Sequence, residues 1–548
     1  MNDMDTSVIG ATADEMIAPA VPVPAGEVAG SAVHANALAS IMQRVFTFPA
    51  MLGMLLVTAI FFAVRGFDVD PDLWWHIKSG QDILSTHRWP VIDSYSFTVA
   101  GQPRIAFEWL GDVLFAVVLQ VGGLRGLEAL LIVLSAAIIL ALYSLSTLRS
   151  KNSKAGFLAT AGLIVLATAN LNLRPQMLGY LFLVLTLITL ERFRQGKRGA
   201  LWFLPLLFLA WINIHGSWVL GLGAMVAYWA CGLKEYRIGG IEMRRWERPD
   251  RSRLSVVFLL CLAVLPITPY GTQLAVVPFQ VASAFPVSKV YVSEWQPLPF
   301  DQFGGKVFLV LALGFFAVQI ALRLKWRLEE LALFLIGTAM ACMHVRFLLL
   351  FVPFFVPLLA TVLARWLPPY ERGKDRPVLN AVFMFSMLAL MVRYFPSRAN
   401  IEDSVAKHYP VRAVEYLRRH PLPGPMFNSY GFGGYLLWAL GPQHKVFIDG
   451  RAELYEQGGV FTDYMHISVL KPGALSVLRS YGVQSCLIDR NEPLANVLTV
   501  MPDWRMSYSD GVSVLFVRPV NAEIPEAKLP QSGPYRGKIS ANETRLNN

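Results

Sequence analysis

Charge is what this sequence has least of. Of its 548 residues only 16% are Asp, Glu, Lys or Arg, where a soluble globular domain carries roughly a quarter. Cysteine is scarce as well: Cys231, Cys261, Cys342 and Cys486 make up the whole set. Three of them lie in apolar runs and none forms a C-x-x-C pair, so they read as small buried hydrophobes rather than a disulfide framework or metal ligands. No H-E-x-x-H, G-x-S-x-G or Walker sequence is present, which argues against common zinc proteases, serine hydrolases and ATPases. The glycines of GFGGY (431–435) are not the G-x-G-x-x-G of a βαβ unit and read as a tight turn instead.

What is abundant is apolar sequence. Hydrophobic residues make up 55% of the chain, in runs such as MLGMLLVTAIFFAV and LEALLIVLSAAIILALYSL. Runs near 20 residues match the hydrocarbon thickness of a bilayer when wound as helix. The chain therefore reads as a polytopic α-helical membrane protein, with the lipid bilayer as its first partner. Spans are expected near 46–65, 126–148, 155–171, 177–193, 200–214, 217–233, 254–270, 306–322, 329–345, 347–365 and 377–395. That is about 11 transmembrane helices, within a range of 10–13. One further apolar stretch, 107–121, is short and carries Glu108 and Asp112, as an interfacial helix or a span would.

The net charge of +10 sits mostly in short clusters between apolar runs rather than in one stripe with interleaved aromatics. Nucleic acid is thus not an expected partner. Five clusters fall two spans apart: Arg149/Lys151/Lys154, Arg192–Arg198, Lys234–Arg253, Arg323/Lys325/Arg327 and Arg365–Arg376. The positive-inside rule places all five in the cytoplasm together. With 107–121 in the interface, the N-terminus is then cytoplasmic and the chain leaves its last span on the outside. Four regions follow: a disordered leader over 1–44, a membrane domain over 45–398 with a large outer loop at 66–125, an extracytoplasmic α/β domain over 399–520, and a disordered tail over 521–548. The α/β expectation rests on the helical VRAVEYLRRH and the strand-like KVFID, VQSCLID and VSVLFV.

This topology gathers polar residues on one face. The first outer loop supplies Asp68, Asp70, Asp72 and His76, with Glu108 at its far end. Arg174, His215, Glu294, and the pair His344 and Arg346 come from four later connections, and Asp449, Arg451 and Glu453 from beyond the last span. Any one of these residues is explained by loops meeting water. Carboxylates on one loop facing cations on others suit a site at the membrane surface. Arginine forks and imidazoles fit a phosphate or pyrophosphate. The D-x-D of Asp70 and Asp72 suits a general base or a divalent cation. Trp74, Trp75 and Trp109 serve equally as interfacial belt residues or as sugar-stacking platforms.

Two stretches carry a family resemblance. DPDLWWHIKSGQDILSTHRWPVIDSYSFTVAGQPRIAFEWL and NSYGFGGYLLWALGPQHKVFIDGRAELY resemble, respectively, the first loop and the segment after the last span of bacterial GT-C glycosyltransferases, which use polyprenyl-phosphate-linked sugars. The resemblance implies a GT-C-like fold in a bacterial inner membrane and an inverting sugar transfer from a lipid-linked donor to an extracytoplasmic glycan, lipid or protein. It implies a catalytic base at Asp70 or Asp72, and lipid-phosphate contacts among Arg174, His215, His344 and Arg346. The W-W-D-Y-G motif of oligosaccharyltransferases is missing, so en bloc transfer to asparagine is not implied. Two other classes remain open from the residues alone. A lipid or glycan transporter calls for mid-membrane charges and an internal repeat. A non-catalytic assembly protein would depend on 399–520 rather than on the acidic loop.

Overall fold

The computed structural model describes residues 42–66, 70–168, 171–284, 286–422 and 424–519. Asp68, most of the expected leader and the expected tail lie outside them. The molecule is mostly helical. Among the described residues, four helices are long and apolar enough to cross a membrane: Trp109–Ser150, Gln176–Arg194, Phe303–Leu322 and the run Val345–Leu363. Pro377–Arg393 and Arg398–His408, bent by 57° at their junction, make a fifth candidate. Phe48–Val64, Arg198–Ile212 and Trp218–Cys231 are apolar but shorter. Helices of this composition with so few charged residues make the chain an integral membrane protein.

The 107–121 stretch proves to be the start of a longer element. Trp109–Ser150 runs for 42 residues and is broken at Gly123, whose φ of 59° is not helical. Residues 109–122 form a separate arm, and they pack beside the Pro71–Thr86 helix. That helix begins where the sequence tells it to. Pro71 occupies its first turn, where a missing N–H costs nothing, and the Asp70 side chain caps it by accepting from the Asp72 amide at 2.9 Å.

Beyond the membrane helices, four strands build a second layer: β1 (Met426–Asn428), β2 (Ser485–Asp489), β3 (Arg505–Ser509) and β4 (Ser513–Val517). Their order is β1-β2-β4-β3, with β1 parallel to β2 and the other pairs antiparallel. Phe427, Phe447, Ile488, Leu498 and Phe516 fill a core of its own on this layer.

The layer is pinned to the loop helix by aromatic contacts. Trp74 is fully buried and meets Tyr409, Tyr435 and Trp438 with ring centroids 5.6, 5.0 and 4.7 Å away. A second clamp is ionic. Arg451 bonds Asp449 at 2.6 Å and Asp93 of the first loop at 2.6 Å, and Tyr455 donates to Asp449 at 2.6 Å. All of these groups are nearly inaccessible to solvent.

Candidate active site

Between the loop helix, the connections of the membrane helices and the 430–453 segment lies a cavity of about 1470 Å³. Drug-sized ligands occupy roughly 300–1,000 Å³, so this space suits something larger. One part of its wall is apolar, built by Leu220, Val277, Met340, Met343 and Phe347. The other part is polar and holds nine of the residues singled out from the sequence: Asp70, Asp72, His76, Glu108, Arg174, His215, Glu294, His344 and Arg346.

Arg174 is the hub. It stands just before the Gln176–Arg194 helix, and its guanidinium touches three carboxylates. Nε lies 2.7 Å from Asp70, Nη2 lies 3.0 Å from Asp72, and Nη1 lies 3.0 Å from Glu294. The other oxygen of Glu294 reaches Arg346 at 3.3 Å. Glu294 thus bridges two guanidiniums, in the position an anionic ligand would take. Arg346 also lies 4.2 Å above the Trp295 ring, a cation–π contact that fixes its plane. His344 bonds the Trp295 carbonyl at 2.6 Å, and the Val345 amide donates to Gln296 at 2.9 Å. The 293–298 and 342–347 loops are held together by these bonds.

The two aspartates differ in role. Asp70 caps its helix, accepts from Asn172 at 3.3 Å and is buried. Asp72 is less enclosed and accepts from the Trp75 indole at 3.2 Å. Burial pushes the Asp72 carboxyl up to about 7, with Arg174 pulling it back and Asp70 and Glu294 adding to the rise. A carboxylate poised there is a competent base near neutral pH.

A second polar group occupies another stretch of wall. His76 is one helical turn from Asp72, and its Nδ1 lies 2.6 Å from Asp112. Glu108 stands between two imidazoles, 3.5 Å from His76 Nε2 and 3.4 Å from His215 Nε2. His215 Nδ1 accepts from the Ser217 amide at 3.1 Å, so the ring's proton sits on Nε2, facing Glu108. Burial, with Arg346 adding to it, holds the His215 imidazolium down to about 3. Burial raises Glu108 well above the usual carboxylate range, with the nearby Asp112 and Glu453 adding to it.

Asp449 and Arg451 are not brought to the cavity. Their side chains turn into the buried cluster with Asp93, and only Gly450 between them reaches the wall. Glu453, named with Asp449 and Arg451 from the sequence, does line the cavity, and so do Asn172 and Tyr430, which were not among the sequence candidates. Tyr430 lies within the second of the two family-like stretches, which was the available signal. Among the described residues no three His, Cys, Asp or Glu side chains converge to hold a metal ion. Arg174 itself fills the space between Asp70 and Asp72. Both carboxylates of the D-x-D are thus taken up by one guanidinium.

No protein-family description matches the chain, and no curated protein does either. Solved structures similar in architecture include the Archaeoglobus fulgidus oligosaccharyltransferase tethered to an acceptor peptide (11% identity, 80% of this chain and 68% of that one, TM-score 0.48). The mycobacterial arabinofuranosyltransferase AftD is similar at 15% identity over 85% of this chain and 41% of that one, with a TM-score of 0.47. ArnT from Cupriavidus metallidurans bound to undecaprenyl phosphate is similar at 13% identity over 86% of this chain and 98% of that one, with a TM-score of 0.45. At these identities the likeness is one of architecture alone.

Proposed function

We propose that the protein is an inverting glycosyltransferase of a bacterial inner membrane, taking a sugar from a polyprenyl-phosphate donor to an extracytoplasmic acceptor. The observation that carries this reading is the juxtaposition of Asp72 with the Arg174–Glu294–Arg346 bridge in one half-apolar cavity. The paired guanidiniums suit a phosphate, the apolar wall suits a prenyl chain, and the raised Asp72 carboxyl suits a base. In the topology that goes with this reading, about eleven spans leave the N-terminus in the cytoplasm and the site on the outer face.

Asp72 takes the proton of the acceptor hydroxyl or amine, and the freed electron pair attacks the anomeric carbon from the face opposite the phosphate. The bond from that carbon to the phosphate oxygen breaks, and its electron pair leaves with polyprenyl phosphate. Arg174 and Arg346 are placed to stabilise the charge that develops there, which they do best in a site shielded from water. Because a phosphate would compete with the carboxylates for Arg174, donor binding also loosens the Arg174 grip on Asp72. Asp70 holds the helix start and Arg174 in position.

Native mass spectrometry of the detergent-purified protein, wild type beside Arg346→Ala, tests this. A co-purifying polyprenyl phosphate or its glycoside, lost in the variant, supports the transferase. Bulk phospholipids alone, unchanged by the substitution, would sink it.

A further inference from the structure

The polar wall of the cavity has two ends of different character. One end is ionic, formed by Arg174, Arg346 and their carboxylates. The other is formed by Glu108 between His76 and His215. Asp112 faces His76 Nδ1 at 2.6 Å, so that nitrogen donates and Nε2 is turned toward Glu108; in the tautomer with its proton on Nδ1, Nε2 accepts. His215 is fixed the other way round: Ser217 donates to Nδ1, and Nε2–H points at Glu108. A neutral carboxyl satisfies both neighbours, with its O–H towards His76 and its C=O towards His215. Both gaps, 3.5 and 3.4 Å, exceed the usual length of such bonds. The hydrogen-bonding capacity of the trio is therefore not spent, and Glu108 and His215 retain 12% and 18% of their side-chain exposure, towards the cavity.

A group that offers donors and acceptors without net charge is matched by a ligand that does the same, as a hydroxyl does. An anion would meet a carboxyl oxygen there, and a cation would meet the His215 N–H. We propose that Glu108, bracketed by His76 and His215, is the subsite that recognises the hydroxyls of the donor's sugar, while the phosphate goes to Arg174 and Arg346. This inference rests on the transferase reading and adds the orientation of the donor: sugar towards Glu108 at the start of the 109–122 arm, phosphate towards the 293–298 and 342–347 loops. It also makes the sugar a neutral one at the ring positions that meet Glu108. Pockets built to bond a hydroxyl discriminate strongly against ligands lacking it, because their own polar groups are otherwise left unpaired.

The test compares two kinds of lipid on the full-length protein in nanodiscs. One is undecaprenyl phosphate, and the other is a panel of its glucosyl, mannosyl and arabinosyl phosphodiesters. Wild type should bind at least one glycoside on the order of ten-fold more tightly than the bare phosphate. Glu108→Ala should bring that ratio close to one while leaving the affinity for undecaprenyl phosphate unchanged, which also shows that the variant is folded. Glu108→Gln should keep most of the preference, because its amide can donate to His76 and accept from His215. A preference that survives in Glu108→Ala, or that Glu108→Gln loses as fully as Glu108→Ala, overturns the inference alone. A wild-type protein that prefers no glycoside but binds the bare phosphate does the same. Failure of wild type to bind any of these lipids overturns the transferase reading and this inference with it.

Discussion

Gly450 lies so close to Asp72 that a methyl group on its α-carbon would stand 1.7 Å from the Asp72 Oδ1 and 3.0 Å from the Trp75 indole nitrogen. No side chain fits there unless the carboxylate moves. The Gly450→Ala substitution should therefore misplace Asp72 and break its bond to Trp75. A shift of about 1 Å in a reacting group costs about 100-fold in turnover. Steady-state kcat, read beside thermal melting in detergent, checks this, and a variant with full turnover would show that Asp72 needs no such placement.

The pH profile follows from the same carboxyl. Burial pushes Asp72 up to about 7 and Arg174 opposes that rise. Only the ionised form accepts a proton, so kcat/KM should climb as pH rises through about 7. Removing the cation removes the opposing influence, so the limb should move to higher pH in Arg174→Gln, on top of a lower plateau. A limb that stays in place, or moves to lower pH, would assign it to another group.

Much of this site was legible in the sequence because loops that share a membrane face must share a space. The basic clusters put Asp72, Arg174, His215, Glu294 and Arg346 on one face, and the fold brings them round one cavity. Which residues of a loop turn inward was not legible, because that depends on packing between segments hundreds of residues apart. Asp449 and Arg451 look like site residues by type, yet their partner is Asp93, 358 positions from Arg451. Glu453 lies two residues beyond Arg451 and does reach the cavity. The break at Gly123 was hidden for a different reason. Apolar residues continue on both sides of it, and hydropathy does not register a single glycine with positive φ.

Arg451 supplies a test of that distinction. Its guanidinium is buried against Asp449 and Asp93, and Tyr455 completes the cluster. Removing one partner of a buried ion pair leaves the others uncompensated, at a cost of about 3–5 kcal/mol. Arg451→Met should therefore lower the thermal midpoint sharply while leaving KM nearly unchanged in whatever protein remains folded. A large rise in KM at unchanged stability would instead make Arg451 a ligand-binding residue.

Glu294 works against the ligand it is placed to mimic. Its carboxylate spans Arg174 and Arg346 at 3.0 and 3.3 Å, so an incoming phosphate must displace it from both. Glu294→Gln keeps the shape and one acceptor oxygen but removes the negative charge, and charge-assisted bonds to arginine are roughly twice as strong as neutral ones. Competition for the two guanidiniums then falls, and affinity for undecaprenyl phosphate should rise about three- to ten-fold, from about 1 kcal/mol of lost competition. The opposite sign is also informative: if Glu294 serves mainly to hold the two arginines apart at the right spacing, its loss weakens binding. Isothermal titration with undecaprenyl phosphate in nanodiscs separates the two, and weaker binding in Glu294→Gln would make Glu294 a support for the arginines rather than a competitor for them.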